Sequence, residues 1–342
     1  MSLKPALRRS GSTRNSTTTA FRIIPLRPYS LPLTASRFCR FPEIIDRFDG
    51  ATYRRLLLVH GQPHLLSVTQ TGTPLQATLQ VRITGAGSDS DSARSGARQV
   101  IERALGTPTD VRPFYRALKH DPILGSCIRA FTGLRIAGWP DVWEAVASTV
   151  LCQQVNLAFA YGIRQELAKA LGFHAQFNGE SFYAFPAPQS IVEAGVHRLR
   201  QFRLSQAKAE TLGRLAAAFS PGGDLSDSEL RKLPDDAVIE RLTAIKGVGI
   251  WTAETVLLRG LGRVDAFPAG DLGVVKYLAQ GLLGRAEPAT EKEMRRYAES
   301  WKPHRGLALV YAYAELQRLR GQAQERQTSA GRHEARKART GR

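Results

Sequence analysis

The residue of this 342-residue chain best placed to do chemistry is an aspartate that follows a glycine-containing helical hairpin. Asp271 comes directly after the run Phe-Pro-Ala-Gly at 267–270. A carboxylate can stabilise positive charge that develops in a reaction, and it can orient or deprotonate an attacking water. Aspartate is also an ordinary N-cap residue, and Leu272 and Val275 follow with helical spacing. Both interpretations of Asp271 stay open at this point.

The hairpin upstream is encoded by residues 242–254, LTAIKGVGIWTAE. Helical periodicity precedes the turn at 246–249 and resumes after it. Glycines permit backbone angles that a side chain would forbid, and they let another backbone approach closely. The amides that open the second helix can then bind an anion such as a DNA phosphate, with Lys246 adding positive charge. A plain helical hairpin with a glycine C-cap is the alternative.

The longer pattern, hydrophobic-Lys-Gly-Val-Gly-x-Trp-Thr-Ala, resembles the hairpin of the helix–hairpin–helix (HhH-GPD) DNA glycosylase superfamily. The run Asp-Ala-Phe-Pro-Ala-Gly-Asp, which ends at Asp271, resembles the catalytic segment of its DNA-3-methyladenine glycosylase II branch. The run Cys-Gln-Gln-Val at 152–155 resembles the segment that this family pushes into the duplex. The resemblance covers roughly residues 25–320, and it includes the family's β-rich amino-terminal domain.

This resemblance implies an enzyme that flips an alkylated base, such as 3-methyladenine or 7-methylguanine, out of duplex DNA and hydrolyses its glycosidic bond. Asp271 is the catalytic residue that it implies. The positions implied to bind DNA are Gln153, Gln154, Lys246, Gly247, Val248, Gly249 and Thr252. The aromatic residues implied to line the base pocket are Trp251, Tyr313 and Phe38. The two glutamines could instead be satisfied internally, and the three aromatic residues could belong to the core.

The resemblance also indicates the subclass and the absence of cofactors. Trp251 occupies the position at which related bifunctional enzymes carry a Schiff-base lysine, so we expect a monofunctional enzyme without lyase activity. The three cysteines, Cys39, Cys127 and Cys152, are too few for a disulfide framework or for the iron–sulfur cluster of another branch. No metal, cofactor or nucleotide is expected. Thr255 stands where the best-known member of the branch has a cleft tyrosine, so the pocket is expected to differ.

The composition agrees with a polyanionic partner. The chain has 48 Lys+Arg against 30 Asp+Glu, a net charge of +18. Both termini are basic, but so is the body between them, which favours a nucleic acid or an anionic membrane surface. Because the chain lacks both a membrane-length apolar run and an amphipathic basic helix, we expect damaged double-stranded DNA as the partner and no membrane.

The expected location is intracellular, in the cytoplasm and on the nucleoid, with a monomer as the working form. The first twenty residues are rich in Arg, Ser and Thr and contain no acidic residue, which is also typical of an organellar transit peptide. We take the basic tail of a DNA-binding protein as the simpler interpretation.

The pattern of elements predicts a mostly α protein with a small α+β domain at its N-terminus. Alternating runs predict antiparallel strands at 53–60, 65–69 and 75–84, followed by a loop at 85–96 and a helix at 97–105. From 107 onward the pattern is helical, and the resemblance implies two helical subdomains that flank a cleft. The helices are predicted at 141–171, 188–199, 205–219, 235–245, 251–260, 271–283 and 290–318.

We therefore predict a β/α domain over 21–106 and a helical glycosylase domain over 107–320. Basic tails over 1–20 and 321–342 are predicted to be disordered. The alternative function is a non-catalytic helix–hairpin–helix DNA-binding protein. Asp271 discriminates between the two, because a module that only binds DNA has no need of that carboxylate.

Overall fold

The computed structural model describes residues 10–11, 17–39, 41 and 43–340. Five strands form an antiparallel sheet in the order β2-β6-β5-β4-β3, and three more form a second sheet in the order β1-β7-β8. The strands of the described residues are β1 Ser10–Gly11, β2 Thr17–Ile23, β3 Asp46–Phe48, β4 Thr52–Val59, β5 Gln62–Thr71, β6 Thr78–Gly85, β7 His174–Phe177 and β8 Glu180–Tyr183.

Fourteen helices make up most of the remaining described chain. They are α1 Leu31–Ala35, α2 Asp91–Leu105, α3 Arg112–Leu118, α4 Leu124–Ala130, α5 Val142–Cys152, α6 Leu157–Leu171, α7 Pro188–Arg200, α8 Gln206–Phe219, α9 Asp227–Leu230, α10 Asp235–Thr243, α11 Ile250–Arg259, α12 Ala279–Gly281, α13 Glu291–Ala298 and α14 Arg305–Thr340. A π-helical turn, Gly273–Leu278, leads directly into α12.

Alternation in the strands explains the sheet. Leu79, Val81 and Ile83 of β6 are fully buried, whereas the intervening Arg82 is exposed. The buried face packs against α2, whose own apolar stripe includes Ile101. A second and larger core joins the helices from α3 to α14. The prediction of an antiparallel sheet followed by a mainly helical part is confirmed.

Besides α2, which begins at Asp91 inside the predicted loop, four element boundaries differ from the predictions. The sheet begins at Thr17, which pairs with Gly85, and not after a disordered tail that extends to residue 20. The helix predicted over 141–171 is two helices, because Asn156 caps α6 with its own side chain. The helix predicted over 290–318 is also interrupted, between α13 and α14, at a segment that contains Pro303.

The fourth difference concerns the C-terminus, where α14 continues through the segment predicted to be a disordered tail. Residues 321–340 contain no proline and are rich in Ala, Gln, Arg, Glu and Lys, which are good helix formers. The predicted positions 1–9 and 341–342 of the tails lie outside the described residues.

A β-hairpin interrupts the part of the chain that was predicted to be helical throughout. Strands β7 and β8 are joined by Asn178 and Gly179, both with positive φ, of 51° and 80°. Asn-Gly between two short apolar runs is the usual signal for a two-residue hairpin turn. The hairpin carries Phe177 and Phe182, which pack with Leu56 and Leu65 of the large sheet.

A buried charge cluster joins the sheet domain to the helical part. It consists of Glu43, Asp46, Arg55, Glu144 and Arg164, which form ion pairs with one another. The cluster thus connects β3 and β4 with α5 and α6. Among the described residues, no helix is both long and apolar enough to cross a membrane.

Candidate active site

The hairpin predicted to bind phosphate lies between α10 and α11. Gly249 is the N-cap of α11, and no side chain caps that end of the helix. The first amides of a helix have no partner within the helix, so those of α11 are available to an anion. Lys246 is exposed beside them, whereas Val248 is buried and anchors the turn. Only the backbone of Val248 is therefore free to make the predicted contact with DNA.

Glycine occupies the two positions of the turn for different structural reasons. Gly247 has a φ of 98°, and a Cβ there would lie 2.0 Å from the hydroxyl oxygen of Thr211. Gly249 has a φ of −99°, and a Cβ there would meet nothing within 4 Å. Backbone angles that a side chain would disfavour are thus adopted at Gly247 and not at Gly249. Only close approach by a second molecule would require glycine at 249.

This difference gives a paired prediction for alanine substitutions. We expect Gly247→Ala to lower the free energy of unfolding by about 1–3 kcal/mol, because it adds backbone strain and a steric overlap. We expect Gly249→Ala to change that free energy by less than about 0.5 kcal/mol, yet to weaken duplex binding roughly tenfold. Urea unfolding and fluorescence anisotropy at one fixed salt concentration measure the two quantities. Unchanged affinity in Gly249→Ala would show that DNA does not approach this position.

The Gln-Gln turn between α5 and α6 adjoins the hairpin, and its two glutamines behave differently. Gln153 donates from Nε2 to the Gly247 carbonyl and to the Thr252 hydroxyl, both at 3.0 Å. Gln153 is therefore satisfied internally, and Thr252 is only 1% exposed. Both side chains brace the hairpin in this structure, and contacts of Gln153 and Thr252 with DNA stay predictions. Gln154 is exposed and has a φ of 51°, unusual for a side-chain-bearing residue.

Asp271 lies at the start of the π-helical turn, where its carboxylate accepts three hydrogen bonds. Oδ1 accepts from the Gly273 amide at 2.7 Å and from the Tyr313 hydroxyl at 2.9 Å. Oδ2 accepts from Trp251 Nε1 at 3.0 Å. The first of these bonds is an N-cap interaction, so the structural alternative for Asp271 is also realised. The other two come from elements distant in sequence, α11 and α14, and hold the carboxylate between two aromatic rings.

Trp251 and Tyr313 are both half-buried, as expected for walls of a cleft. Burial, together with the neighbouring charge of Asp271 and the bond to it, raises the pKa of Tyr313 well above its ordinary value. The Tyr313 hydroxyl therefore stays protonated near neutral pH and donates a hydrogen bond to Asp271. A Cβ at Gly273 would lie 2.5 Å from the Tyr313 hydroxyl oxygen, so glycine is needed there for this contact.

The third predicted pocket aromatic, Phe38, packs in the sheet domain. Its ring lies 5.5 Å from that of Tyr53, centroid to centroid. The positive charges of Arg259 and of Arg37, the residue that precedes Phe38, both act to lower the pKa of Tyr313. A pocket role for Phe38 stays a prediction.

Three further residues near the carboxylate were not selected as site residues. Thr255 and Arg259 follow Trp251 at intervals of four along α11, so they lie on the same face of that helix. Tyr161 of α6 and Asp271 both act electrostatically on Arg259. The helical spacing of Thr255 and Arg259 could have identified them from the sequence. No local pattern distinguishes Tyr161, because it reaches the site from another subdomain.

Comparisons with known proteins bear on this arrangement. The family model described as "HhH-GPD superfamily base excision DNA repair protein" matches residues 147–303. The chain is 33% identical over 207 residues to the DNA-3-methyladenine glycosylase of Bacillus subtilis (strain 168), which covers 60% of this chain and 68% of that protein. It is 30% identical over 192 residues to DNA-3-methyladenine glycosylase 2 of Escherichia coli (strain K12), covering 56% and 63%.

A solved structure shares the architecture over nearly its whole length. The 3-methyladenine DNA-glycosylase from Archaeoglobus fulgidus superimposes with a TM-score of 0.75 at 25% sequence identity. The match covers 87% of this chain and 98% of that one, so it includes the sheet domain as well as the helices. The chain belongs to the HhH-GPD superfamily of base excision DNA repair proteins.

Proposed function

We propose that this DNA glycosylase releases alkylated bases, among them 3-methyladenine and 7-methylguanine, from duplex DNA by hydrolysis and leaves an abasic site. The observation that carries the proposal is the placement of Asp271, whose carboxylate is held between Trp251 and Tyr313. All its hydrogen-bond donors are uncharged, so its negative charge is available to a substrate. The names of the two relatives support alkylated bases as the substrate class.

Asp271 acts on the sugar in this proposal. Departure of the base leaves an oxocarbenium-like deoxyribose, and a fixed carboxylate stabilises that charge without first having to reorganise. The same carboxylate can orient the water that attacks C1′ and accept its proton. The bonds from Trp251, Tyr313 and Gly273 fix both oxygens, so the charge stays directed at one place in the cleft.

The base must leave the duplex before its glycosidic bond becomes accessible. We assign Gln154 to the gap that the base leaves, because it is exposed at the tip of a turn whose neighbour, Gln153, is anchored to the hairpin. The hairpin would hold the backbone through Lys246 and the open amides of α11. Binding through backbone phosphates should weaken steeply with salt, by about 0.9 log unit per neutralised phosphate for each log unit of salt.

Monofunctional hydrolysis follows from the residue at 251. A Schiff base requires an amine that reaches C1′, and the position implied for it carries Trp251, whose indole donates to Asp271. The amine of Lys208 is engaged with the Leu151 carbonyl at 3.0 Å. Lys246 lies exposed in the hairpin turn. We further propose that the protein acts as a monomer and needs no nucleotide cofactor.

Product analysis tests this proposal. A methylated duplex would be incubated with the protein, free bases identified by chromatography, and strands examined before and after alkali. We expect release of 3-methyladenine and 7-methylguanine, with strand breaks appearing only after alkali. Borohydride should trap no protein–DNA adduct. Breaks without alkali, or a trapped adduct, would overturn the monofunctional assignment. Salt-sensitive duplex binding without base release would favour a non-catalytic DNA-binding protein.

A further inference from the structure

Arg259 differs from the other deeply buried arginines in how little of its guanidinium is used. It is 7% exposed and donates one hydrogen bond, from Nη1 to the Ala137 carbonyl at 2.8 Å. Arg135, by comparison, donates to the carbonyls of Gly133, Leu134, Leu26 and Pro28. Arg55 and Arg164 are both paired with carboxylates in the buried charge cluster. Within the described part of the chain, the remaining N–H groups of Arg259 have no partner.

The position of Arg259 on α11 directs it to the cleft. Trp251, Thr255 and Arg259 lie on successive turns of one helix face, about 6 Å apart along its axis. Helical side chains lean toward the N-terminus of their helix, so the Arg259 side chain leans back toward Thr255 and Trp251. Trp251 is bonded to Asp271, which places the three residues along the same side of the cleft as the carboxylate.

The charged groups around Arg259 agree with a side chain that leans toward Thr255 and Trp251. Burial, reinforced by the neighbouring Arg37, holds the pKa of Arg259 well below its ordinary value. Tyr161, Tyr313 and Asp271 act on it in the opposite direction. These four residues come from four different parts of the chain, and all belong to the surroundings of the cleft. Arg259 therefore lies within electrostatic range of both Asp271 and Tyr313, which are hydrogen-bonded to each other.

Thr255, on the same face of α11, carries a buried polar group without a partner. Its hydroxyl oxygen is buried and has no hydrogen-bond partner among the described residues. Buried polar groups without partners are uncommon in folded proteins, because each gives up the hydrogen bonds that it makes to water in the unfolded chain. The Thr255 hydroxyl and the unused N–H groups of Arg259 lie on adjacent turns of this face of α11, where a bound molecule could pair with both. Both can donate, so the missing partner is a hydrogen-bond acceptor.

We propose that Arg259 recognises a carbonyl oxygen of the flipped base, so that the enzyme favours 6-oxopurines such as 7-methylguanine and hypoxanthine over 3-methyladenine. This inference rests on the proposed glycosylase function and specifies its substrate class. At the same position 3-methyladenine carries an amino group, which offers N–H donors and no good acceptor. A guanidinium facing that group leaves its own donors unpaired, and a buried positive charge also opposes a cationic base.

Arg259 would also assist the chemistry of an uncharged base. When the C1′–N9 bond of an inosine nucleotide breaks, both electrons stay on the base, and the negative charge spreads to O6. Water adds its oxygen to C1′, and the proton that it loses neutralises the departing base. A guanidinium on O6 stabilises that charge as it develops. Methylated purines are already cationic and leave neutral, so for 7-methylguanine the contribution is mainly recognition.

Three duplexes with one lesion each, in the same sequence, test the proposal: 7-methylguanine, hypoxanthine and 3-methyladenine. The 7-methylguanine and 3-methyladenine nucleotides are cationic, whereas 7-methylguanine and hypoxanthine carry a 6-oxo group. The three duplexes therefore separate the effect of base charge from recognition of the carbonyl oxygen. For Arg259→Gln we expect single-turnover release of 7-methylguanine and hypoxanthine to fall about 10–100-fold. Release of 3-methyladenine should change by less than about threefold, or rise. Circular dichroism and binding to a duplex with an abasic-site analogue verify that the variant is folded.

Arg231→Gln is the matched control. Arg231 donates to the Gly260 carbonyl at 3.0 Å and pairs with Asp227, so it supports the same end of α11. We expect this variant to leave the ratios among the three substrates unchanged. If Arg259→Gln does not fold, Arg259→Lys replaces it, because an ammonium lacks the planar fork but keeps the charge. The same loss of 6-oxopurine release is expected.

An equal fall on all three substrates would assign Arg259 to structure alone and overturn the inference, as would unchanged ratios in a folded Arg259 variant. Release of none of the three bases by the unmodified protein would overturn the proposed function itself. Release of 3-methyladenine alone by the unmodified protein would uphold hydrolytic release of an alkylated base, but it would overturn the inference about Arg259 and the expected release of 7-methylguanine.

Discussion

Replacing Asp271 with asparagine is expected to lower the rate of base release at least about 100-fold, because a single preorganised electrostatic group contributes this much in other active sites. The amide has nearly the same size but no charge, so it cannot stabilise an oxocarbenium-like sugar. It also has one oxygen where the carboxylate uses two. Either Trp251 or the pair Tyr313 and Gly273 would then face an NH2 group.

The same substitution separates the catalytic interpretation from the N-cap interpretation. Asparagine is as good an N-cap residue as aspartate, so a purely capping role predicts almost no change. Single-turnover release from a methylated duplex and anisotropy with an abasic-site analogue measure rate and binding separately. Asp236→Asn is the control, since it removes one carboxylate from an exposed position of α10. Retention of the full rate by Asp271→Asn would exclude Asp271 from the chemistry, and loss of the fold would make its role structural.

The parts of the site that the sequence predicted are those encoded by short patterns. The turn at 246–249 and the start of α11 follow from glycine chemistry and helix periodicity. Asp271 follows Phe267 and Pro268 in a run that resembles a known segment. The structure brings Asp271 and Trp251 into contact, although twenty residues separate them. Local patterns identified both residues, but only the resemblance indicated that they belong together.

The parts that the sequence did not predict depend on tertiary contacts or on weak local signals. Gln153 and Gln154 are identical residues in adjacent positions, and only the fold turns one inward and the other outward. Arg37 and Tyr161 of α6 act electrostatically on Arg259 from elements far apart in the chain, so no sequence spacing relates them to Asp271. The break before α6 did have a signal, the N-cap Asn156, but the apolar periodicity on both sides outweighed it.

The buried charge cluster is another feature without a sequence pattern, and it decides how the sheet domain is attached. Arg164 of α6 donates to Glu43 at 2.6 Å and also pairs with Glu144 of α5. Its Nε donates to the Ser148 hydroxyl at 3.1 Å. Burial, partly offset by Arg164, raises the pKa of Glu43 above its ordinary value. Glu43 therefore depends on Arg164 to remain ionised.

Arg164→Met is accordingly expected to lower the free energy of unfolding by about 3–5 kcal/mol at neutral pH, the usual cost of breaking a buried ion pair. Methionine retains most of the apolar stem, so the loss is chiefly one of charge compensation. Without Arg164 the pKa of Glu43 in the folded state rises further above its unfolded value. Protonation then favours the folded state, and the deficit relative to the unmodified protein should shrink as the pH falls from about 8 to 5.

Chemical unfolding of both proteins at several pH values measures this deficit. Arg54→Met is the matched control, because Arg54 is the neighbour of Arg55 on β4 but pairs with Asp49 at the surface. It should cost at most about 1 kcal/mol, as exposed ion pairs usually do. A deficit for Arg164→Met that is constant with pH would mean that the substitution acts through lost packing. A shrinking deficit would show that charge compensation by Arg164 is what holds the sheet domain against α5 and α6.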